Sequence, residues 1–280
     1  SLDPDQVAAL TTAQVAELET ADVAALSVKQ FSAFGSDAIA AFDTSQIANL
    51  TIKQVASMTS AQLSAMETAD VAAFTTDAVA ALSVKALPAF STAQLAAFDS
   101  AQIGALTEKQ VVGLTTAQIA GLGTADLNAL TTEHFASLTN NQVAALTTAQ
   151  VAAIDTVDLV ALSPKQLSAF GSAAIGALTT GQVGAMESSQ IAGLSSAQLD
   201  ALSTGQVAAL STDGLRAIGD KEMGAFGSAD LEAMSSAQIN ALTSKQIKSL
   251  TAEQIAGIET ADLSVLITES VASLTNDGLQ

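Results

Sequence analysis

Large apolar residues recur along this chain in steps of three and then five, without a break from Val7 to Leu274. The steps sum to eight, and residues 3–274 divide into 34 consecutive octads with no insertion or deletion. We number these blocks from Asp3 and the positions within each from 1 to 8, so that Thr11-Thr12-Ala13-Gln14-Val15-Ala16-Glu17-Leu18 is block 2. Position 5 is apolar in all 34 blocks, and position 8 is Leu, Phe, Met or Ile in all 34. Side chains three apart share one face of a helix but lie on opposite faces of a strand, so the spacing predicts helix. Self-similarity at a short fixed period further predicts a solenoid.

Position 1 decides whether one helix runs through or many restart. It holds 12 Thr, 8 Ser, 4 Asp, 5 Gly, 4 Glu and one Ile, so 29 of 34 are residue types preferred at helix N-caps and mediocre or poor inside helices. The helix therefore restarts in every block. Pro4 and Pro164 at position 2 agree, because a first helical residue has no N–H to lose. Gln occupies position 4 in 20 blocks, and Ser/Thr-x-x-Gln reads as a capping box. The six Asp at that position (Asp22, Asp70, Asp126, Asp158, Asp230, Asp262) follow Glu, Gly or Asp at position 1. They suggest a second capping variant in which the cap shifts to the following Thr and the Asp favours the helix dipole. Pro88, at position 6, marks a local irregularity inside its helix.

Helices of about seven residues are unstable alone in water, so each must be held by its neighbours. Ala, Gly and Ser dominate positions 6 and 7 and would let successive helix backbones approach closely. Seven of the nine basic residues (Lys29, Lys53, Lys85, Lys109, Lys165, Lys221, Lys245) occupy position 3 in blocks 4, 7, 11, 14, 21, 28 and 31. These steps fit about 3.5 blocks per superhelical turn, with the lysines in one solvent-facing stripe. The expected fold is an all-α solenoid of 34 short capped helices, about 3.5 repeats per turn. At a helix spacing of roughly 8–10 Å it would form a rod on the order of 80–100 Å long.

A longer duplication relates residues 3–138 to 139–274, 17 blocks each. We expect residues 1–280 to form a single continuous repeat array. Thr275-Asn276-Asp277 restarts the pattern and Ser1-Leu2 reads as the tail of a block, so the chain is expected to be a fragment of a longer array.

Composition narrows the chemistry. The 280 residues contain no Cys, Trp or Tyr and one His, which removes thiolate sites, disulfides and His-rich metal centres. Asp and Glu number 28 against 9 Lys and Arg, and the net charge of -19 opposes binding to nucleic acid or an anionic membrane. No run approaches the roughly 18 apolar residues of a transmembrane helix, and the N-terminus carries no signal-peptide pattern. His134 stands where Gln usually sits and reads as a capping-box substitute. Phe31, Phe34, Phe42, Phe74, Phe90, Phe98, Phe135, Phe170 and Phe226, with the five Met, fall at positions 5 or 8 and read as core. Acidic pairs such as Asp3 with Asp5, or Asp220 with Glu222, lack the carboxylate spacing of a calcium loop. No residue breaks the repeat in the way a grafted site would. No catalytic, cofactor-binding or metal-ligating residue, and no cofactor, is expected.

The octad Leu-Thr-Thr-Ala-Gln-Val-Ala-Ala at 146–153 resembles the Thr/Ala-rich octapeptide arrays of very large bacterial surface or secreted proteins. That resemblance covers essentially the whole chain and implies a rigid, non-enzymatic spacer on the cell surface or outside the cell. A shorter likeness, Leu-Thr-x-x-Gln-Val-x-Ala, is similar to the opening helix of transcription-activator-like effector repeats. It spans one helix and lacks the base-reading loop, so we read it as convergence on one capping box. The partners expected are neighbouring repeats of the same parent chain, without nucleic acid or membrane insertion. Two alternatives stand beside the spacer. One is a protein- or peptide-binding solenoid, which needs a systematic outward face, whereas positions 2 and 3 vary without an obvious hydrophobic patch. The other is ice or polysaccharide binding, which needs free, coplanar Thr hydroxyls.

Overall fold

The computed structural model of the chain describes residues 2–258. Among them lie 30 α-helices and two 3-10 helices, one element in each of blocks 1 to 32. Blocks 33 and 34, with Asp262 and Thr275-Asn276-Asp277, fall outside the described residues. The α-helices run four to six residues, shorter than the spacing suggested, because position 8 and the next position 1 are both extended. Leu114 (φ -68°, ψ 144°) and Thr115 (φ -72°, ψ 158°) show the corner. A cap residue favours this extended backbone, and the position 8 side chain turns inward from it.

The two 3-10 helices are Leu87–Ala89 and Glu222–Ala225. Pro88 accounts for the first, since its ring removes an amide and crowds the preceding turn. The second was not anticipated. Its block opens on Gly219 and carries Gly224 at position 6, and Lys221 begins the element with no side-chain cap bond.

The chain divides into two compact units, Ser1–Leu138 and Thr139–Gln280. Within each, helices stack on those three blocks further along. Pro4–Ala8 packs on Val28–Phe31 and Thr44–Ala48 on Thr68–Ala72 in the first unit. In the second, Pro164–Leu167 packs on Ser188–Ala192, and Ser188–Ala192 on Thr212–Ala217. Position 4 side chains reach four blocks back, from Gln46 to Val15 and from Gln182 to Val151. Neighbours at three and four blocks define a superhelix of between three and four blocks per turn, in agreement with the 3.5 read from the lysines.

Position 5 points to the axis and is buried from Val7 to Ile247, while position 8 is buried from Phe34 to Ile258. Leu10, Leu18 and Leu26, in the first turn of the first unit, are half-buried. The nine Phe and five Met are all buried, as expected, and Phe31, Phe34 and Phe42 form a ring cluster with centroids 5.3 to 6.3 Å apart. Each large side chain buried contributes roughly 1.5–3 kcal/mol before entropy is counted.

The small residues at positions 6 and 7 do not seat successive helices, as the sequence suggested. They seat helices stacked one turn apart. A Cβ on Gly104 (position 6) would lie 2.9 Å from the Ala129 carbonyl oxygen at position 7 three blocks on, and Gly176 meets Ala201 in the same way. The Arg216 Nε–H at position 6 donates to the Ala241 carbonyl at position 7 over 3.1 Å. At Gly104 and Gly176 the approach is close enough that even a Cβ would require a shift.

Candidate functional site

The position 4 side chain is where the polar chemistry of the repeat concentrates. All 20 position 4 glutamines lie at the third helical residue of a capping box. At Gln118 the Oε1 accepts from the Thr115 N–H at 2.8 Å, and the Gln118 N–H donates to Thr115 Oγ1 at 3.1 Å. This satisfies donors that a helix start leaves orphaned.

The same amide has a second partner set that sequence reasoning missed. Gln118 Nε2 donates to the carbonyls of Leu87 at 3.0 Å and Phe90 at 2.8 Å, 31 and 28 residues earlier. Gln54 does the same to Val23 and Leu26, Gln110 to Val79 and Leu82, Gln190 to Leu159 and Leu162, and Gln246 to Leu215 and Ile218. The position 5 carbonyl also accepts from the position 8 N–H of its own block, as Leu87 does from Phe90 at 3.1 Å, and the position 8 carbonyl lies just beyond the end of that helix, four blocks back. One buried amide thus closes the start of its own helix and the end of another. A Glu would cap equally well but offers no N–H, and its charge would face two carbonyl oxygens. That explains why position 4 holds 20 Gln and one Glu, Glu222.

His134 takes the place expected of it. Its Nδ1 accepts from the Thr131 N–H at 3.1 Å and its own N–H donates to Thr131 Oγ1 at 3.4 Å. This requires the neutral tautomer with the proton on Nε2. The Asp variant differs from expectation: the cap does not move to the Thr. Glu19, Glu67, Gly123 and Gly227 remain the caps, and the helices start at Thr20, Thr68, Thr124 and Ser228. A position 4 Asp reaches back directly, as Asp230 Oδ2 accepts from the Gly227 N–H at 2.8 Å, so no shifted cap is needed. Asp126 Oδ1 instead accepts from Ser100 Oγ in the turn three blocks back, at 3.0 Å. Asp70 is buried, and burial, then the neighbouring Glu67 charge, and then Asp43 push its carboxyl above the usual aspartate value of 3.8.

Position 1 hydroxyls are engaged at the caps, accepting from position 4 amides as Thr51, Thr107, Thr147 and Ser235 do. Among the described residues no three His, Asp or Glu side chains are placed to hold a metal ion. No described helix is long and apolar enough to cross a membrane. A cleft of about 280 Å³ opens in the first turn between Leu2, Val7, Leu10, Leu18, Leu26 and Gln30.

One surface feature corrects the sequence reading. Of the six exposed large aliphatics among the described residues, Leu2 and Val157 stand apart, whereas Val28, Ile52 and Val84 occupy position 2, each immediately before a position 3 lysine. Val112, also exposed, lies in the block of Lys109.

No curated protein was found to match the chain. A family model for the ALTTAQ repeat matches residues 15–52, 86–116, 110–140, 119–154, 151–188, 183–212 and 223–257, well over half of the chain. The array of capped, mutually clamped helices therefore belongs to the ALTTAQ repeat family.

Proposed function

We propose that this array is a non-enzymatic structural module, a stiff spacer within a large bacterial surface or secreted protein. The observation that carries the reading is the double use of the position 4 glutamine. Gln54, Gln118 and Gln246 are buried and spent on holding one turn to the next, and of the position 4 glutamines only Gln6, Gln14 and Gln30, in the first blocks of the first unit, are not buried. The position 1 hydroxyls are likewise taken up by caps, which leaves only part of the Thr array for ice or glycan. The principal partners of each repeat are then other repeats of the same chain, stacked a turn away.

Stiffness follows from the clamp. Bending or stretching the superhelix separates Nε2 from carbonyls buried with it, and each buried group left without a partner costs about 1–3 kcal/mol. Small-angle X-ray scattering tests the proposal. A rod of about 90 Å has a radius of gyration of about 27 Å, against about 19 Å for a globular chain of this length. A value near the globular one would overturn the spacer reading.

A further inference from the structure

In the unit Ser1–Leu138 the position 3 lysines fall in blocks 4, 7, 11 and 14. Three of these blocks carry Val28, Ile52 or Val84 at position 2, and no other block in the chain has Val, Ile or Leu there. The aliphatic side chains are 39%, 53% and 38% exposed at a position that is mostly Thr or Ser elsewhere, and Val112, at position 6 of block 14, is 41% exposed. The helix Val28–Phe31 packs on Ile52–Ser57, and Leu87–Ala89 on Glu108–Gly113. A Cβ on Gly113 would lie 2.8 Å from Val84 Cγ1, so Val84 sits directly against the helix that carries Val112. Each pair of turns thus carries an exposed aliphatic patch beside two lysines, Val28 and Ile52 with Lys29 and Lys53, and Val84 and Val112 with Lys85 and Lys109.

Lys29, Lys53, Lys85 and Lys109 are exposed and make no ion pair among the described residues, although acidic side chains outnumber basic ones 28 to 9. The carboxylates form a row of their own. Glu19, Asp43, Glu67 and Asp99 occupy position 1 of blocks 3, 6, 9 and 13 and are exposed. Asp43 and Glu67 both act on the Asp70 carboxyl, which places carboxylates of successive turns side by side. Both rows span ten blocks with one residue every three or four blocks, in steps of 3, 3 and 4 for the carboxylates and 3, 4 and 3 for the lysines.

We propose that the aliphatic and lysine row of this unit docks a second copy of the chain, whose Glu19, Asp43, Glu67 and Asp99 row pairs with Lys29, Lys53, Lys85 and Lys109. Periodicity selects this occupant. A ladder of charges stays in register over several turns only against a partner of the same rise per turn, and a second copy has it by construction. The valines and Ile52 supply apolar contact that lysines alone would lack. Each exposed ion pair strengthens association by less than about fivefold, so affinity accrues over the turns. The net charge of -19 opposes approach at long range. At about 0.15 M salt that repulsion is screened beyond about 8 Å while contacts survive.

The test is sedimentation velocity of the full chain over a concentration series at that ionic strength. We expect a concentration-dependent dimer. Lys29→Glu/Lys53→Glu/Lys85→Glu should weaken it about 10- to 100-fold, and Val28→Thr/Ile52→Thr/Val84→Thr should also weaken it, with circular dichroism unchanged in both. Glu19→Lys/Glu67→Lys alters N-cap residues whose side chains make no cap hydrogen bond, and by itself it should also weaken the dimer. Mixing that variant with the triple glutamate variant should restore a mixed dimer, a result that misfolding does not produce. A wild type that is monomeric to about 1 mM, or a dimer unmoved by the lysine changes or not rescued by mixing, overturns the proposal. A monomer whose lysines capture free polyglutamate also overturns it, in favour of an acidic partner.

Discussion

Gln14 and Gln118 sit in the same heptapeptide but for one methylene, Leu-Thr-Thr-Ala-Gln-Val-Ala at 10–16 and Leu-Thr-Thr-Ala-Gln-Ile-Ala at 114–120. Both close a capping box with the preceding Thr. Only Gln118 is buried, at 2% exposure, with Nε2 on the Leu87 and Phe90 carbonyls, whereas Gln14 is exposed in the first turn. Replacing each by Glu separates the two roles, because Glu keeps the capping acceptor and removes the N–H donor. At Gln14 the expected change is within about 0.5 kcal/mol. At Gln118 two donations of about 1 kcal/mol each are lost. The introduced carboxylate also faces two carbonyls without a counter-charge, which raises the expected loss to about 3–5 kcal/mol at pH 7. The burial that penalises the charge raises the pKa of the new carboxyl above the unfolded value of about 4.3. Its destabilisation is therefore present at neutral pH and relieved as pH falls through the raised value. Urea unfolding followed by circular dichroism at pH 7 and pH 4 measures the total, and hydrogen exchange of the amides in blocks 11 and 15 localises it, since arrays open by segments. Equal losses at Gln14 and Gln118 would refute the clamp.

Four further substitutions probe other contacts of the array. Asp70 has a folded pKa above 3.8, so its favourable contribution is full below that pH and is lost as pH rises through the folded value. Asp70→Asn should stabilise the chain at pH 7 by a few tenths to about 1 kcal/mol and flatten the pH dependence of its melting temperature over that window. Gly104→Ala should lose stability despite a helix-propensity gain of about 1 kcal/mol, since overpacking costs about 1–3 kcal/mol and its Cβ would press on the Ala129 carbonyl. Gly181→Ala, whose nearest contact is 3.9 Å away, should gain in the same melts. Phe31→Ala empties a fully buried ring site between Phe34 and Phe42 and should cost about 3–5 kcal/mol by denaturant titration.

Much of the fold was legible because its rules are local. The apolar steps of three and five identify helix and core, and Phe31, Leu63 and Ile239 are buried where the pattern puts them. His134 could be assigned to a cap because a capping box spans three residues and needs only an acceptor in the right place. The 3-10 element at Glu222–Ala225 was less visible, since weakness there is spread over Gly219, Gly224 and a missing cap instead of announced by a proline. The row of Val28, Ile52 and Val84 was also missed. Val28 and Ile52 lie 24 positions apart, and only the pitch brings their helices into contact.

By itself the sequence determined where each helix begins, which side chain caps it and which two residues enter the core, because those choices are made by interactions within eight residues. Tertiary structure alone decided what lies across each turn. It set position 6 of one block against position 7 three blocks on, and it closed the glutamine bonds across 28 and 31 residues. Those pairings depend on how many blocks complete a turn, a quantity fixed by the packing of whole helices. Gln14 and Gln118 carry the same local sequence and differ only in whether a turn lies beneath them, which is why one is exposed and the other is buried.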